Sequence, residues 1–130
     1  MSLTDYDSLL AYLLAKPGTS HDTPYGPGVV VARVGKKIFC HIGIDDRPLT
    51  ISLKCRPALA LQYRAEYPAV QAGYHLNKQH WNSVILDGSI PETVVRQMVD
   101  HSYELVLAGL SKAEREEIGG GGEEGRLGEV

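Results

Sequence analysis

Residues 29–54 constrain the fold more than any other stretch. Val29, Val30 and Val31 open a run that continues through Ala32, Arg33 and Val34. Branching at Cβ stiffens these side chains and suits them to a pleated strand better than to a helix. Gly35-Lys36 breaks the run as a hairpin turn, and a second strand is predicted over 37–44. Simple alternation there puts Ile38, Cys40 and Ile42 on one face and Phe39, His41 and Gly43 on the other. Asp45-Asp46-Arg47-Pro48 turns the chain again. A third strand over 49–54 points Leu49, Ile51 and Leu53 inward and Thr50, Ser52 and Lys54 outward. Short strands joined by tight turns predict an antiparallel meander.

A meander with one apolar face must bury that face against another layer. Helical patterns on either side supply it. Leu3, Tyr6, Leu9, Leu10, Leu13 and Leu14 recur at helical spacing over 3–15, with Ser2 or Thr4 as the cap. Lys16-Pro17-Gly18 ends that helix, and residues 17–28, rich in proline and glycine, read as a loop. A second helix is predicted over 57–67, opened by Pro57 and stopped by Pro68. After a connector over 68–80, residues 81–86 read as a fourth strand. Ser89 and Glu92 form a capping-box pattern for a third helix over 90–108, which Gly109 ends. The expected fold is α+β: a four-stranded antiparallel sheet with helices on one face, in the order α-β-β-β-α-β-α.

The chain of 130 residues suits one domain. Residues 1–110 hold ten basic and ten acidic side chains, so that body is neutral, and the formal charge of −3 sits in residues 111–130. This balance excludes a protein held on nucleic acid by bulk charge. The domain is expected over 1–110. Lys112–Ile118 adds at most a short charged turn, and the Gly/Glu-rich remainder of 111–130 reads as a disordered acidic tail. Cys40 and Cys55 read as free, buried thiols, the alternative being a single bridge between them. No signal-peptide pattern and no membrane-length apolar run is present, so the expectation is cytoplasmic, with no membrane partner.

Candidate site residues concentrate in the second connector. His75, Asn77, Lys78, His80, Trp81 and Asn82 place imidazoles, amides, an ammonium and an indole close together. They suit polar readout of a ligand or nucleic acid with Trp81 as a stacking wall. The plainer reading makes the histidines hydrogen-bonded structural groups and the asparagines caps of their own backbone. Lys54 and Arg56 flank the end of the third strand, where an anion could sit, and Lys36 and Lys37 crown a hairpin tip that could contact phosphates as a wing. Each of these basic pairs also reads as a solvated surface. His21-Asp22 is a poor acid–base pair because sequence neighbours rarely face each other, and His101 reads as a core-edge histidine. No nucleophile motif, phosphate loop or metal-ligand spacing emerges, so no cofactor and no metal is expected and an enzyme ranks last.

Ordered short motifs carry a resemblance. They are Lys16-Pro17-Gly18-Thr19, Pro24-Tyr25-Gly26-Pro27, Val34-Gly35-Lys36-Lys37-Ile38-Phe39 and Ser52-Leu53-Lys54-Cys55. Tyr67-Pro68, Gly73-Tyr74-His75-Leu76-Asn77-Lys78, His80-Trp81-Asn82, Leu86-Asp87-Gly88 and Asp100-His101-Ser102-Tyr103 follow. Over residues 3–110 the chain resembles the MmcQ/YjbR-like family, small bacterial proteins labelled as predicted DNA-binding with a double-wing motif. The resemblance implies a CyaY-like α+β fold, also seen in type III secretion chaperones, and names no catalytic residues. Tyr25 stands where phenylalanine is common, and the tail falls outside the pattern.

Three functions follow as expectations. The first is a DNA-binding module using Lys36, Lys37, Lys54, Arg56, Asn77, Lys78, His80 and Asn82. The second is an adaptor for a protein or peptide, or a dimer, through the open sheet face. The third is a small-molecule binder with a pocket lined by Tyr25, His75, Lys78, His80 and Trp81, which requires the 17–28 loop to pack over the connector.

Overall fold

The computed structural model describes residues 2–73 and 76–122. Its elements are α1 (Tyr6–Leu14), β1 (Thr19–Asp22), β2 (Val29–Val34), β3 (Lys37–Gly43), β4 (Thr50–Lys54), α2 (Pro57–Glu66), β5 (Val70–Ala72), β6 (Trp81–Ile85), α3 (Glu92–Ala108) and α4 (Lys112–Gly122). The strands form one sheet in the order β1-β2-β3-β4-β6-β5, with every neighbouring pair antiparallel.

This corrects the expected architecture. Among the described residues the sheet has six strands rather than four, and there are four helices rather than three. Both added strands are edges with little apolar signal. In β1, Thr19-Ser20-His21-Asp22 carries no large apolar side chain and is mostly exposed. It is held by its ladder with β2 and by the Asp22–Arg33 ion pair at 2.9 Å. β5 has three residues, of which Val70 alone is buried. Its pairing is extended by Ile85 N–H to Ala69 O and Gly73 N–H to Trp81 O, both 2.9 Å.

The added helix has a local cause too. Ser111 and Glu114 form a reciprocal capping box: the Ser111 hydroxyl accepts from Glu114 N and the Glu114 carboxylate accepts from Ser111 N, each at 3.1 Å. α4 then packs back on the body through Ile118, which sits on the core margin against Gly18. Residues 123–130 of the expected tail lie outside the described residues. The box expected at Ser89 and Glu92 does not form. The Ser89 hydroxyl turns back to Asp87 at 2.6 Å, and Glu92 accepts from Leu3 N and pairs with Arg96. The cap of α1 is Asp5, which accepts from Ser8 N, rather than Ser2 or Thr4.

The core lies between α3 and the middle of the sheet. Val95, Met98, Val99, Tyr103 and Val106 of α3 are buried with Cys40, Ile42, Ile51, Leu53 and Val84. Each fully buried aliphatic side chain contributes about 1.5–3 kcal/mol relative to exposure. α1 adds Leu9 and Leu13, both fully buried. Its C-terminal end is tied to α3 at Asp100, which accepts from the Tyr12 hydroxyl at 2.7 Å and pairs with Lys16 at 2.5 Å.

Simple alternation fails once along β3. Ala32 pairs with Cys40 but Arg33 pairs with Ile38, so Phe39 is an extra residue in a bulge. Phe39 and Cys40 are both fully buried, and Phe39 meets the edge of Tyr103 at 5.4 Å. Phe39 is thus a core residue, and Ile38 sits half-buried opposite Arg33, reversing the expected faces of these two. On the other side of β3 the ladder with β4 stops at the Cys40–Leu53 pair, beside the bulge, and leaves the Phe39 carbonyl and the Lys54 N–H beyond it. Ser102 of α3 serves both: its hydroxyl donates to Phe39 O at 2.5 Å and accepts from Lys54 N at 2.9 Å.

Ser102 is fully buried, so Ser102→Ala strands two backbone groups away from water. The expected loss is about 1–3 kcal/mol, seen as a lower urea midpoint at unchanged slope. An unchanged midpoint would mean that water or a backbone shift replaces the hydroxyl.

Candidate functional site

The sheet face away from the core is a cleft floored by small and polar residues. Register sets His41 opposite Ser52 and Ser52 opposite Ser83, with the two hydroxyl oxygens 3.1 Å apart. Thr50 lies between Gly43 and Ile85 one row along, and Lys54 lies opposite Trp81 in the other direction. The β1–β2 loop brings Tyr25 over this floor, stacked on His41 with ring centroids 6.2 Å apart and planes at 22°. Trp81 meets His41 edge-on at 5.3 Å. Leu76 lines the cleft from the connector. The half-open cleft has a volume of about 540 Å³, within the usual span of small-molecule sites of roughly 300–1,000 Å³.

His41 is the central group. Burial pushes its pKa below the usual 6.5, and the nearby Arg33 charge adds to the shift. The ring is therefore neutral near pH 7. Its Nδ1 is buried and has no hydrogen-bond partner among the described residues. At the other end of the floor, a Cβ built on Gly43 would stand 2.2 Å from the Asp46 Oδ2. Glycine there lets the Asp46 carboxylate fold down onto the sheet beside Thr50.

The residues singled out from sequence divide. Trp81 and Lys54 are cross-strand neighbours on the open face. Asn82 is on the other face, 3% exposed, accepting from Arg64 Nε at 2.7 Å and donating to Ala60 O at 3.3 Å. Arg64 also donates to the carbonyls of Lys78 and Trp81, which fixes the connector to α2. Asn77 caps its own turn by accepting from Gln79 N and His80 N. His80 and Lys78 are exposed, and the His80 carbonyl accepts from Cys55 N at 2.8 Å. Arg56 is exposed at the start of α2, and its N–H donates to His101 Nε2 at 3.3 Å. Lys36 and Lys37 are exposed on the hairpin tip, close enough to Glu114 that their charges add to the Ser111 hydrogen bonds in holding its carboxyl below the usual range. His75 lies outside the described residues.

The antiparallel register brings Lys36, Lys37, Lys54, Arg56 and Lys78 to one end of the sheet, because β3 begins where β4 ends. The cleft occupies the middle and other end. Of the pocket residues expected for a small-molecule binder, Tyr25 lines this cleft, and its ring partner is His41 on β3. His41, Asp46, Thr50, Ser52 and Ser83 were not singled out from sequence. Their signal is the row across strands, which appears only once register is known. Among the described residues, no three His, Cys, Asp or Glu side chains converge to hold a metal.

Residues 14–105 match the sequence profile of the YjbR family. The chain belongs to this family. It is 34% identical over 108 residues to the uncharacterized protein YjbR of Escherichia coli strain K12, covering 82% of this chain and 91% of that protein. It is 35% identical over 96 residues to the uncharacterized protein YbdF of Escherichia coli O157:H7, covering 73% and 78%. The fold is similar to the crystal structure of Deinococcus radiodurans protein DR2400, a DUF419 domain, with a TM-score of 0.85, 32% identity and coverage of 90% and 89%. A Pseudomonas syringae protein matches with a TM-score of 0.66, 25% identity and coverage of 78% and 97%. The resemblance read from the ordered motifs therefore stands. No helix among the described residues is long and apolar enough to cross a membrane.

The His41 shift has a readable sign. Folding favours the neutral ring, so its folded midpoint lies below the unfolded one. Between the two the unfolded chain binds more protons, and stability falls as pH drops through that window. His101 shifts the same way, through burial and then the Arg56 charge, against Glu104. Imidazole NMR should give His41 a midpoint below 6.5, and His41→Gln should flatten the acid-side loss of stability. A midpoint at or above the ordinary value would show the ring to be solvated.

Proposed function

We propose that this protein is a binding module that seats a small ligand on the open face of its sheet, between Tyr25 and the connector. One observation carries the reading: that face holds a cleft of about 540 Å³ walled by the Tyr25 ring and Leu76, with a floor of hydroxyls and a partly buried imidazole. Concave, mostly apolar sites with a few aimed polar groups are what small ligands use. Tyr25 and Leu76 supply contact area, and Ser52, Thr50 and His41 supply orientation. Lys54 stands at the rim beside Trp81.

DNA binding is the second reading, supported by the basic residues gathered at one end of the sheet. Lys36 and Lys37 would act as the wing, with Lys54, Arg56 and Lys78 on phosphates and Asn77 and His80 nearby. Two features weigh against it: the body is neutral, and Glu114 of α4 sits beside the wing lysines. An adaptor or dimer on a flat apolar surface has less support. The exposed large apolar side chains among the described residues are Tyr25 and Leu61. They do not adjoin, since Leu61 is on α2 behind the sheet, so they form no contiguous patch.

Backbone amide NMR on the full chain separates the readings. Mixtures of small aromatic and polar compounds should move the resonances of His41, Ser52, Ser83 and Trp81. A short random duplex at low salt should leave the hairpin tip unmoved. Shifts confined to Lys36, Lys37 and Arg56 on adding duplex, and lost at higher salt, would replace the cleft reading with the DNA one.

A further inference from the structure

Charge within the cleft is lopsided. The face has carboxylates at Asp22 and Asp46, and Asp22 is neutralised by Arg33. The Asp46 carboxylate lines the cleft and lies on its floor, in the space that a side chain at Gly43 would fill. It has no hydrogen-bond or ion-pair partner among the described residues. Arg47, the nearest cation in sequence, spends its Nη1 on the carbonyls of Ile44 and Asp46, at 2.7 and 2.8 Å. A second carboxylate, Asp45, stands at the Gly28 side of the same opening, 3.4 Å from where a Cβ there would be.

The aromatic wall adds to this. Tyr25 is 67% exposed, an unusual amount of bare ring for a side chain held over a floor. The negative face of an aromatic ring attracts a cation within about 6 Å of its centre. The rim cation Lys54 is four residues along β4 from Thr50, roughly 13 Å at strand spacing, and does not line the cleft.

Resting on the reading of this cleft as a ligand site, we propose that it takes a small organic amine. The ammonium sits on the Asp46 carboxylate against the Tyr25 ring, and the apolar body lies over His41 between Tyr25 and Leu76. Ser52 and Thr50 are placed to hydrogen-bond a polar group on that body. Gly43 is the specificity-determining position, because only a residue without a side chain leaves the carboxylate on the floor.

The test holds the ring constant and changes the charge. Full-length protein is titrated by amide NMR with tyramine, with the neutral alcohol tyrosol and with p-hydroxyphenylacetate. Tyramine should bind more tightly than tyrosol by about two- to fivefold, the range of a partly exposed ion pair with an aromatic contact, and the carboxylate should bind most weakly. Asp46→Asn should bring tyramine down to tyrosol and leave tyrosol unchanged. Gly43→Ala, which displaces the carboxylate while keeping it, should do the same and guards against a local effect of the Asn. Equal shifts at His41 and Ser52 from all three compounds would overturn the amine inference and leave the ligand site standing. The carboxylate binding best would overturn it in favour of an anion at Lys54. No open-face shifts from any of them at millimolar concentration would overturn the inference and the cleft reading together.

Discussion

The hydroxyl of Ser102 is the joint on which the two layers turn. The β3–β4 ladder stops at Cys40 and Leu53, beside the bulge residue, and the next pair of backbone groups falls in the buried middle of the sheet, where water cannot serve them. Ser102 meets both orphaned groups from the buried face of α3. The same bulge lets Phe39 and Cys40 both enter the core, while His41 keeps the open face that alternation with Cys40 and Ile42 gives it. Core packing of Phe39 against Tyr103 is thus a consequence of one irregularity.

Much of the framework was legible because it is written locally. The β-branched run at Val29, the Gly35-Lys36 turn, Pro57 at a helix start and the apolar stripe of α3 each state their structure within a few residues. The rest is written elsewhere. β1 has no hydrophobic signature and exists because β2 offers it an edge. β5 is a three-residue strand whose place depends on β6. The bulge is invisible because Ile38, Phe39 and Cys40 are all apolar, so either phase looks acceptable. α4 was readable in principle from Ser111 and Glu114, but the four glycines that close it suggested a chain with nothing to pack.

The candidate site divides for a similar reason. The polar density around Asn77 to Asn82 was visible, and most of it serves the fold: Asn77 closes a turn and Asn82 joins Arg64 beneath the sheet. A polar residue in a strand signals function only if its face is known, and Asn82 faces the helices while its neighbours Trp81 and Ser83 lie on the open face. The cleft itself is assembled from one or two residues of each of four strands and three loops, so no contiguous segment announces it.

Alternation along β3, β4 and β6 separates two kinds of information. Ile42, Ile51, Leu53 and Val84 answer to the helices; His41, Thr50, Ser52 and Ser83 answer to whatever enters from outside. A change in the second set leaves the first in register. The scaffold can therefore be re-lined position by position without being refolded, and a common architecture among such proteins is no guarantee of a common cargo.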